Sequence, residues 1–252
     1  MHTNLIKKLN QLNLTFYQNQ ADSFDQSRTA GWRGWDKLKQ LIADLYLKQG
    51  LDILDVGCGN GRFLKYLHTH LDVNGTYTGI DFSTKLLELA KKNLSGIPGF
   101  QINLEHIDLM ADVKFRHINR AYNFIVVFGL LHHIPGYKTR LSLIETIMDF
   151  LQDSGFIILS FWQYQKSERI FSKRIREPEL ELILGEDYDN LENGDYLLRW
   201  SDSKLSRYCH SFSDEEIKAV LTEMQAKGLK IVNQYEADGK EGNLNKYVIL
   251  AR

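Results

Sequence analysis

The chain has 252 residues, 43% hydrophobic and 25% charged, which is enough for one sizeable core and unlike a disordered or fibrous composition. Thirty-one Lys and Arg against 32 Asp and Glu leave a formal charge of -1, so any binding to nucleic acid has to rest on a local basic patch. Two cysteines, Cys58 and Cys209, are too few for a disulfide framework or a four-cysteine zinc site; with no apolar leader and no membrane-length run, they predict a soluble, cytoplasmic chain without a metal centre.

Residues 1–50 read as helical, with 16–46 a lid over a later site. Short apolar runs follow at 51–56, 77–81, 122–128, 156–161, 229–235 and 247–251, with a weaker one at 100–105. Helix-length segments at 61–70, 83–93 and 137–151 lie between them. This alternation predicts an α/β fold with a mostly parallel sheet covered on both faces. Segment 213–228 opens on a capping-box pattern, Ser213 and Glu216, and closes at Gly228. The last two runs, joined by a short connection, predict an antiparallel hairpin at the sheet edge. We therefore expect one domain: a helical lid (1–50), a ligand-binding core (51–162), a substrate-facing insertion (163–210), and a C-terminal helix with hairpin (211–252).

The strongest local signal is ILDVGCGNGRFLKYL, residues 53–67. A buried strand carries Asp55 and runs into Gly57, Gly59 and Gly61, where glycine allows a sharp turn and a close ligand. A dinucleotide fingerprint requires G-x-G-x-x-G, and here Arg62 stands where its last glycine belongs. Asp55 would repel a pyrophosphate but suits a ligand with ammonium and sulfonium groups, such as S-adenosylmethionine (SAM). At the end of the next strand Asp81 is placed to accept from two ribose hydroxyls. After the third, Asp108 is placed to accept from an adenine amino group, with Ile107 or Leu109 near the ring.

LDVGCGNG, GID and YNFIVVFGLLHHI together resemble the class I SAM-dependent methyltransferases. The resemblance implies a Rossmann-like, seven-stranded, mostly parallel sheet whose last strand is antiparallel. It assigns Asp55, Gly57, Gly59 and Gly61 to the methionine part of SAM, Asp81 to the ribose and Asp108 to the adenine, with Phe82, Leu109 and Phe128 in the same site. FYQNQADSFDQSR ending in Arg28, the pair His132 and His133, GDYLLRW with Trp200, and RYCHSF (207–212) resemble, more narrowly, the tRNA wobble-uridine methyltransferases. Those enzymes esterify a carboxymethyl group on the modified uridine. The resemblance implies tRNA as substrate and raises a small activating protein as a partner.

A carboxylate, with pKa near 4, is ionised at neutral pH and attacks the SAM methyl carbon without a general base. The site has to orient it and exclude water. Arg28 and Arg207 are the candidate clamps, His132 or His133 the candidate hydrogen-bonding partner, and Trp200, Tyr208 and His210 the candidate contacts to the base. Each has a structural alternative: histidines that cap a loop, aromatics that anchor the insertion, and Arg28 paired with Asp22 or Asp25. Lys166, Arg169, Lys173 and Arg176 recur at helical spacing and predict a basic stripe for an RNA backbone, or a stripe paired with the acidic residues after it. A small-molecule carboxylate or hydroxyl methyltransferase, and a catalytically silent SAM-binding partner or sensor, are the competing readings.

Overall fold

The computed structural model describes residues 1–28, 30–109, 115, 118, 120–200 and 205–252; Thr29 of the lid and residues 201–204 of the insertion lie outside them. Before the sheet come α1 (Thr3–Ser27), α2 (Arg33–Asp36) and α3 (Lys39–Gln49). The core follows as β1 (Leu51–Val56), α4 (Arg62–His70), β2 (Gly75–Asp81), α5 (Thr84–Asn93), β3 (Phe100–His106), β4 (Tyr122–Val127), α6 (Tyr137–Met148) and β5 (Leu151–Trp162). Then come α7 (Glu168–Phe171), α8 (Glu179–Leu184), β6 (Asp195–Arg199), β7 (Ser206–His210), α9 (Asp214–Ala226), β8 (Lys230–Ala237) and β9 (Asn245–Ala251).

Seven strands form one sheet in the order β3-β2-β1-β4-β5-β9-β8. β1 to β5 pair in parallel, and β9 lies antiparallel between β5 and β8. All seven runs expected from the sequence are strands, the weak one at 100–105 included. Alternate residues of each central strand face opposite layers. Leu54, Val56, Ile125 and Val127 pack with Leu143 and Ile147 of α6 and with Ile217 and Val220 of α9. Ile53, Phe124 and Val126 pack with Ile42 and Leu45 of α3 and with Phe63, Leu64 and Leu67 of α4. Coverage on both faces is why β4 is apolar and buried at nearly every position. Among the described residues, no helix is long and apolar enough to cross a membrane.

Three expectations need correction. The segment 137–151 is helical only to Met148, because Leu151 already pairs with Tyr122 in the sheet. The capping box at α9 is half formed: Ser213 Oγ accepts from the Glu216 N–H at 3.1 Å, while the Glu216 carboxylate turns away to His210 and Arg140. The basic stripe at 166–176 does not form. α7 is a single turn, after which Arg174 bridges to Leu198 and Ile175 is buried against Leu5, Leu9 and Tyr208. Burying Ile175 requires extended chain, and this overrides the helical spacing of the charges. Nor do the acids that follow cover that stripe. Asp187 meets His2 and Lys8 of the N-terminal segment, and Glu179 pairs with Arg199.

The insertion is a two-stranded antiparallel sheet, β6–β7, laid against α1. Asn13, buried on α1, fastens the two: its Nδ2 donates to His133 O at 3.1 Å, and its Oδ1 accepts from Tyr208 N at 2.8 Å. At the other end of α1, Asp25 accepts from Asn60 in the glycine turn and from Asn93 of α5, at 2.8 and 2.9 Å.

Gly61 opens α4 with φ of 76°, and a Cβ there would lie 2.8 Å from Cγ and Cδ1 of the buried Leu94. Gly61→Ala is expected to lower the unfolding free energy by roughly 2–4 kcal/mol, from left-handed strain and overpacking together. Urea denaturation monitored by tryptophan fluorescence measures it.

Candidate active site

The chain reverses its winding between β1 and β4, and the crevice beyond the carboxyl ends of these strands is where an open α/β sheet receives a ligand. At that edge Gly57 N and Cys58 N donate to Ile80 O at 2.8 and 3.0 Å, folding the turn back onto β2. Gly57 has φ of 78°, and a Cβ there would come 2.9 Å from Leu130 Cβ. Gly59, with φ of 56°, faces open space, the nearest atom to an added Cβ being Phe24 Cε1 at 3.9 Å. The turn therefore forms one wall of a cavity of about 610 Å³, enclosed further by the end of α1, the segment to α2, the 3-10 turn Leu131–His133 and the insertion.

Two carboxylates stand on the glycine side. Asp55 is buried, and its Oδ2 accepts from Tyr77 Oη at 2.7 Å; burial, with Asp81 nearby, pushes its carboxyl up to about 7. Asp81 accepts from Gly59 N and Ser83 N, both at 2.9 Å, and burial raises it to about 6 despite these bonds. Both carboxylates line the cavity. A cationic ligand would lower the cost of ionising them.

The opposite wall carries the reverse charge. Arg207, on β7, is 6% exposed, its Nε lacks a hydrogen-bond partner, and among the described residues it forms no ion pair. Its Nη1 donates to Tyr17 Oη at 3.4 Å, and its guanidinium lies 4.8 Å from the Trp200 ring centroid. Arg28, at the end of α1, packs on the same indole at 5.8 Å and on Phe24 at 5.6 Å. Burial and the neighbouring Arg207 pull the Arg28 guanidinium below its ordinary pKa. Of the two alternative partners of Arg28, Asp25 is instead bonded to Asn60 and Asn93, and neither it nor Asp22 forms an ion pair with Arg28 among the described residues.

Both histidines reach the cavity. His133 has its ring nitrogens occupied, Nε2 by Tyr17 Oη at 2.7 Å and Nδ1 by Tyr208 O at 3.0 Å, and burial beside Arg207 brings its pKa down to about 3. His132 is also held neutral by burial, and its Nδ1 has no partner among the described residues. That Nδ1 is closed off from the cavity, whereas Nε2 has no hydrogen bond among the described residues and is the ring nitrogen left for a ligand. Cys209 brings its Sγ into a group with His132 and His133, all within 4.8 Å, where the sequence predicted no metal. Its thiol is pushed up to about 11 by burial. A protonated thiol, an imidazole with both nitrogens engaged and adjacent guanidiniums suit an anion better than a cation.

Of the residues singled out from the sequence, the cavity brings together Arg28, Asp55, Gly57, Gly59, Asp81, Phe82, Phe128, His132, His133, Trp200 and Arg207, with Arg169 and Lys173 of the expected basic stripe also on its lining. Gly61 shapes the turn from behind. Tyr208 and His210 do not line the cavity, because strand alternation puts Arg207 on one face of β7 and its neighbours on the other. Tyr208 Oη and His210 Nδ1 both bond Asp195 Oδ1, at 2.6 and 2.7 Å, and His210 Nε2 bonds Glu216 at 2.6 Å. The two bonds to Asp195 tie β7 to β6 within the insertion, and the bond to Glu216 ties the insertion to α9. Leu109 is turned into the core and Asp108 is exposed, neither lining the cavity. Tyr17, Trp32 and Trp162 line it without having been identified from the sequence. Helical spacing on α1 marks Tyr17 only as a buried position.

The family described as "Methyltransferase domain" matches residues 26–234, most of the chain. The chain belongs to this family. The methyltransferase domain also has the fold of solved class I SAM-dependent enzymes. It superposes on the magnesium protoporphyrin IX methyltransferase of Synechocystis PCC 6803 with bound SAM at a TM-score of 0.60, covering 96% of each chain at 14% identity. Among curated relatives it is 27% identical over 155 residues to the demethylmenaquinone methyltransferase of Staphylococcus aureus (strain MRSA252), covering 62% of this chain and 56% of that one. To the probable tRNA methyltransferase 9B of Mus musculus it is 24% identical over 162 residues, covering 63% and 31%. The chain thus spans just over half the length of the first relative and under a third of the second.

Proposed function

We propose that this methyltransferase domain uses SAM to methylate a carboxylate oxygen, that of the carboxymethyl group on a modified wobble uridine of cytoplasmic tRNA. The observation that carries this reading is the buried Arg207, with its Nε unpartnered and no carboxylate paired to it among the described residues, beside a second arginine, Arg28. Two guanidiniums facing one cavity repel each other until an anion enters between them.

SAM, when bound, supplies an electrophilic methyl group on a sulfonium. Asp55 and Asp81 would hold its ammonium and ribose ends against the open face of Gly59, and Phe82 and Phe128 offer apolar surface. The chain's own part is then to orient the acceptor. Arg207, steadied by Tyr17 and the Trp200 ring, would fork onto the carboxylate oxygen that does not attack, so that the attacking oxygen keeps its nucleophilicity. His132 Nε2 would bond the acceptor from the side. Both imidazoles are held neutral, which fits a reaction that transfers no proton to a base.

The mouse relative named as a tRNA methyltransferase supports RNA as the acceptor. The Staphylococcus relative, at 27% identity, favours a small molecule as the second reading. The test incubates the protein with methyl-labelled SAM and tRNA bearing free carboxymethyluridine, with and without a small activating protein, and identifies labelled nucleosides by mass spectrometry. A labelled methyl ester is the expected product. Label in a small carboxylic acid but not in tRNA would overturn the RNA reading, and SAM binding without transfer to either would make the domain a silent binder.

A further inference from the structure

The charges lining the cavity are sorted by depth. The acids among its described lining residues, Asp55, Asp81 and Asp238, are all less than 9% exposed. The exposed charges at its mouth are all basic: Arg33 on α2, Arg169 on α7, Lys173 just after it, and Arg199 at the end of β6. Arg199 is neutralised by Glu179. Arg33, Arg169 and Lys173 form no ion pair among the described residues, whereas nearby Lys166 is held by Glu236 and Asp214. This patch stands on a chain whose total charge is -1.

We infer that Arg33, Arg169 and Lys173 bind the phosphates flanking the acceptor nucleotide, so that the mouth of the cavity takes a single RNA strand. The three cations come from the two segments that enclose the cavity, Arg33 from the N-terminal side and the others from the insertion. A strand that delivers one base inward has to lay its backbone across the rim between such segments. Two half-buried indoles line the same space, Trp32 stacked on Trp35 and under Arg62, and Trp200 packed by Arg28 and Arg207. A lone small carboxylate would be satisfied by Arg207 and Arg28 and would leave the outer three cations without a counter-charge. The inference rests on the reading of the acceptor as RNA, and it assigns the binding of the strand to residues that touch neither SAM nor the carboxylate.

The test uses the full chain loaded with S-adenosylhomocysteine and a fluorescein-labelled, unmodified RNA stem-loop, with affinity measured by anisotropy over a salt series. Combined Arg33→Gln, Arg169→Gln and Lys173→Gln is expected to weaken RNA binding at least about tenfold at low salt. It is also expected to reduce the slope of log K against log salt by about 2, for three phosphate contacts on a single strand. Affinity for S-adenosylhomocysteine should not change, which shows that the variant is folded. With a carboxymethyluridine stem-loop the variant should raise KM and leave kcat in place. Wild-type affinity and salt slope in the variant would overturn the inference, and if methyl transfer to RNA is then also seen, the proposed function stands without it. Rim-dependent RNA binding with no methyl transfer would keep the rim site and remove the proposed acceptor.

Discussion

Arg207→Met should raise the KM for the acceptor by about 10²-fold or more while changing kcat less and leaving the affinity for SAM intact. Losing one partner of a buried, hydrogen-bonded charge pair costs roughly 2–5 kcal/mol of binding. The effect falls mainly on KM because the carboxylate gives up its charge as the ester forms, so the arginine holds the ground state at least as tightly as the transition state. Folding should not suffer. The side chain is 6% exposed and no carboxylate pairs with it among the described residues, so an apolar replacement of similar length removes a buried charge rather than breaking an ion pair. Arg207→Lys keeps the charge but not the planar fork, and should fall between the two. Steady-state kinetics with varied acceptor, beside isothermal titration with SAM, separate these effects. An unchanged acceptor KM in Arg207→Met would remove this residue from the acceptor site.

Asp55→Asn should weaken SAM binding by about 10–10²-fold, the loss expected for a hydrogen bond to a charged group, and should flatten its pH dependence. In the free protein the Asp55 carboxyl is pushed up to about 7, against an ordinary value of 3.8. The folded state thus holds this proton more tightly than the unfolded chain. Its contribution to stability is fully present below about pH 4 and is lost as pH rises through about 7. The cofactor acts in the opposite sense, since its cationic end prefers the ionised carboxylate. SAM affinity of the wild type should therefore climb between about pH 5 and pH 7.5, with proton release at the acid end. In Asp55→Asn the amide can still accept from Tyr77 Oη, so the local packing survives while the titration disappears, leaving the smaller contribution of Asp81 at about 6. Calorimetric titrations in buffers of different ionisation enthalpy measure both the affinity and the proton count. A pH-independent affinity in the wild type would contradict the placement of the cation beside Asp55.

The cofactor half of the cavity was legible in the sequence because its determinants are local. Asp55, Gly57 and Gly59 follow one another on a strand and its turn, and Asp81 ends the next strand, so the period of the sheet alone brings them to one edge. The acceptor half was legible only in part. Arg28, His132, Trp200 and Arg207 come from four separate segments, and resemblance rather than spacing linked them before the cavity did.

What the sequence determined by itself was the alternation of strands and helices, the glycine turn with its two carboxylates, and the hairpin that ends the sheet, since each depends on neighbours within a few residues or on a fixed period. Tertiary structure alone decided which side of β7 faces the cavity. That choice makes Arg207 a clamp and turns Tyr208 and His210 into fastenings to Asp195. It also decided that His133 is consumed by Tyr17 and Tyr208 while His132 keeps a free nitrogen. It dissolved the basic stripe at 166–176 as well, because burying Ile175 against α1 outweighed a helical spacing of charges that water solvates equally well in any conformation. Hydrogen-bond partners and burial are long-range properties of the packed chain, and no window of sequence contains them.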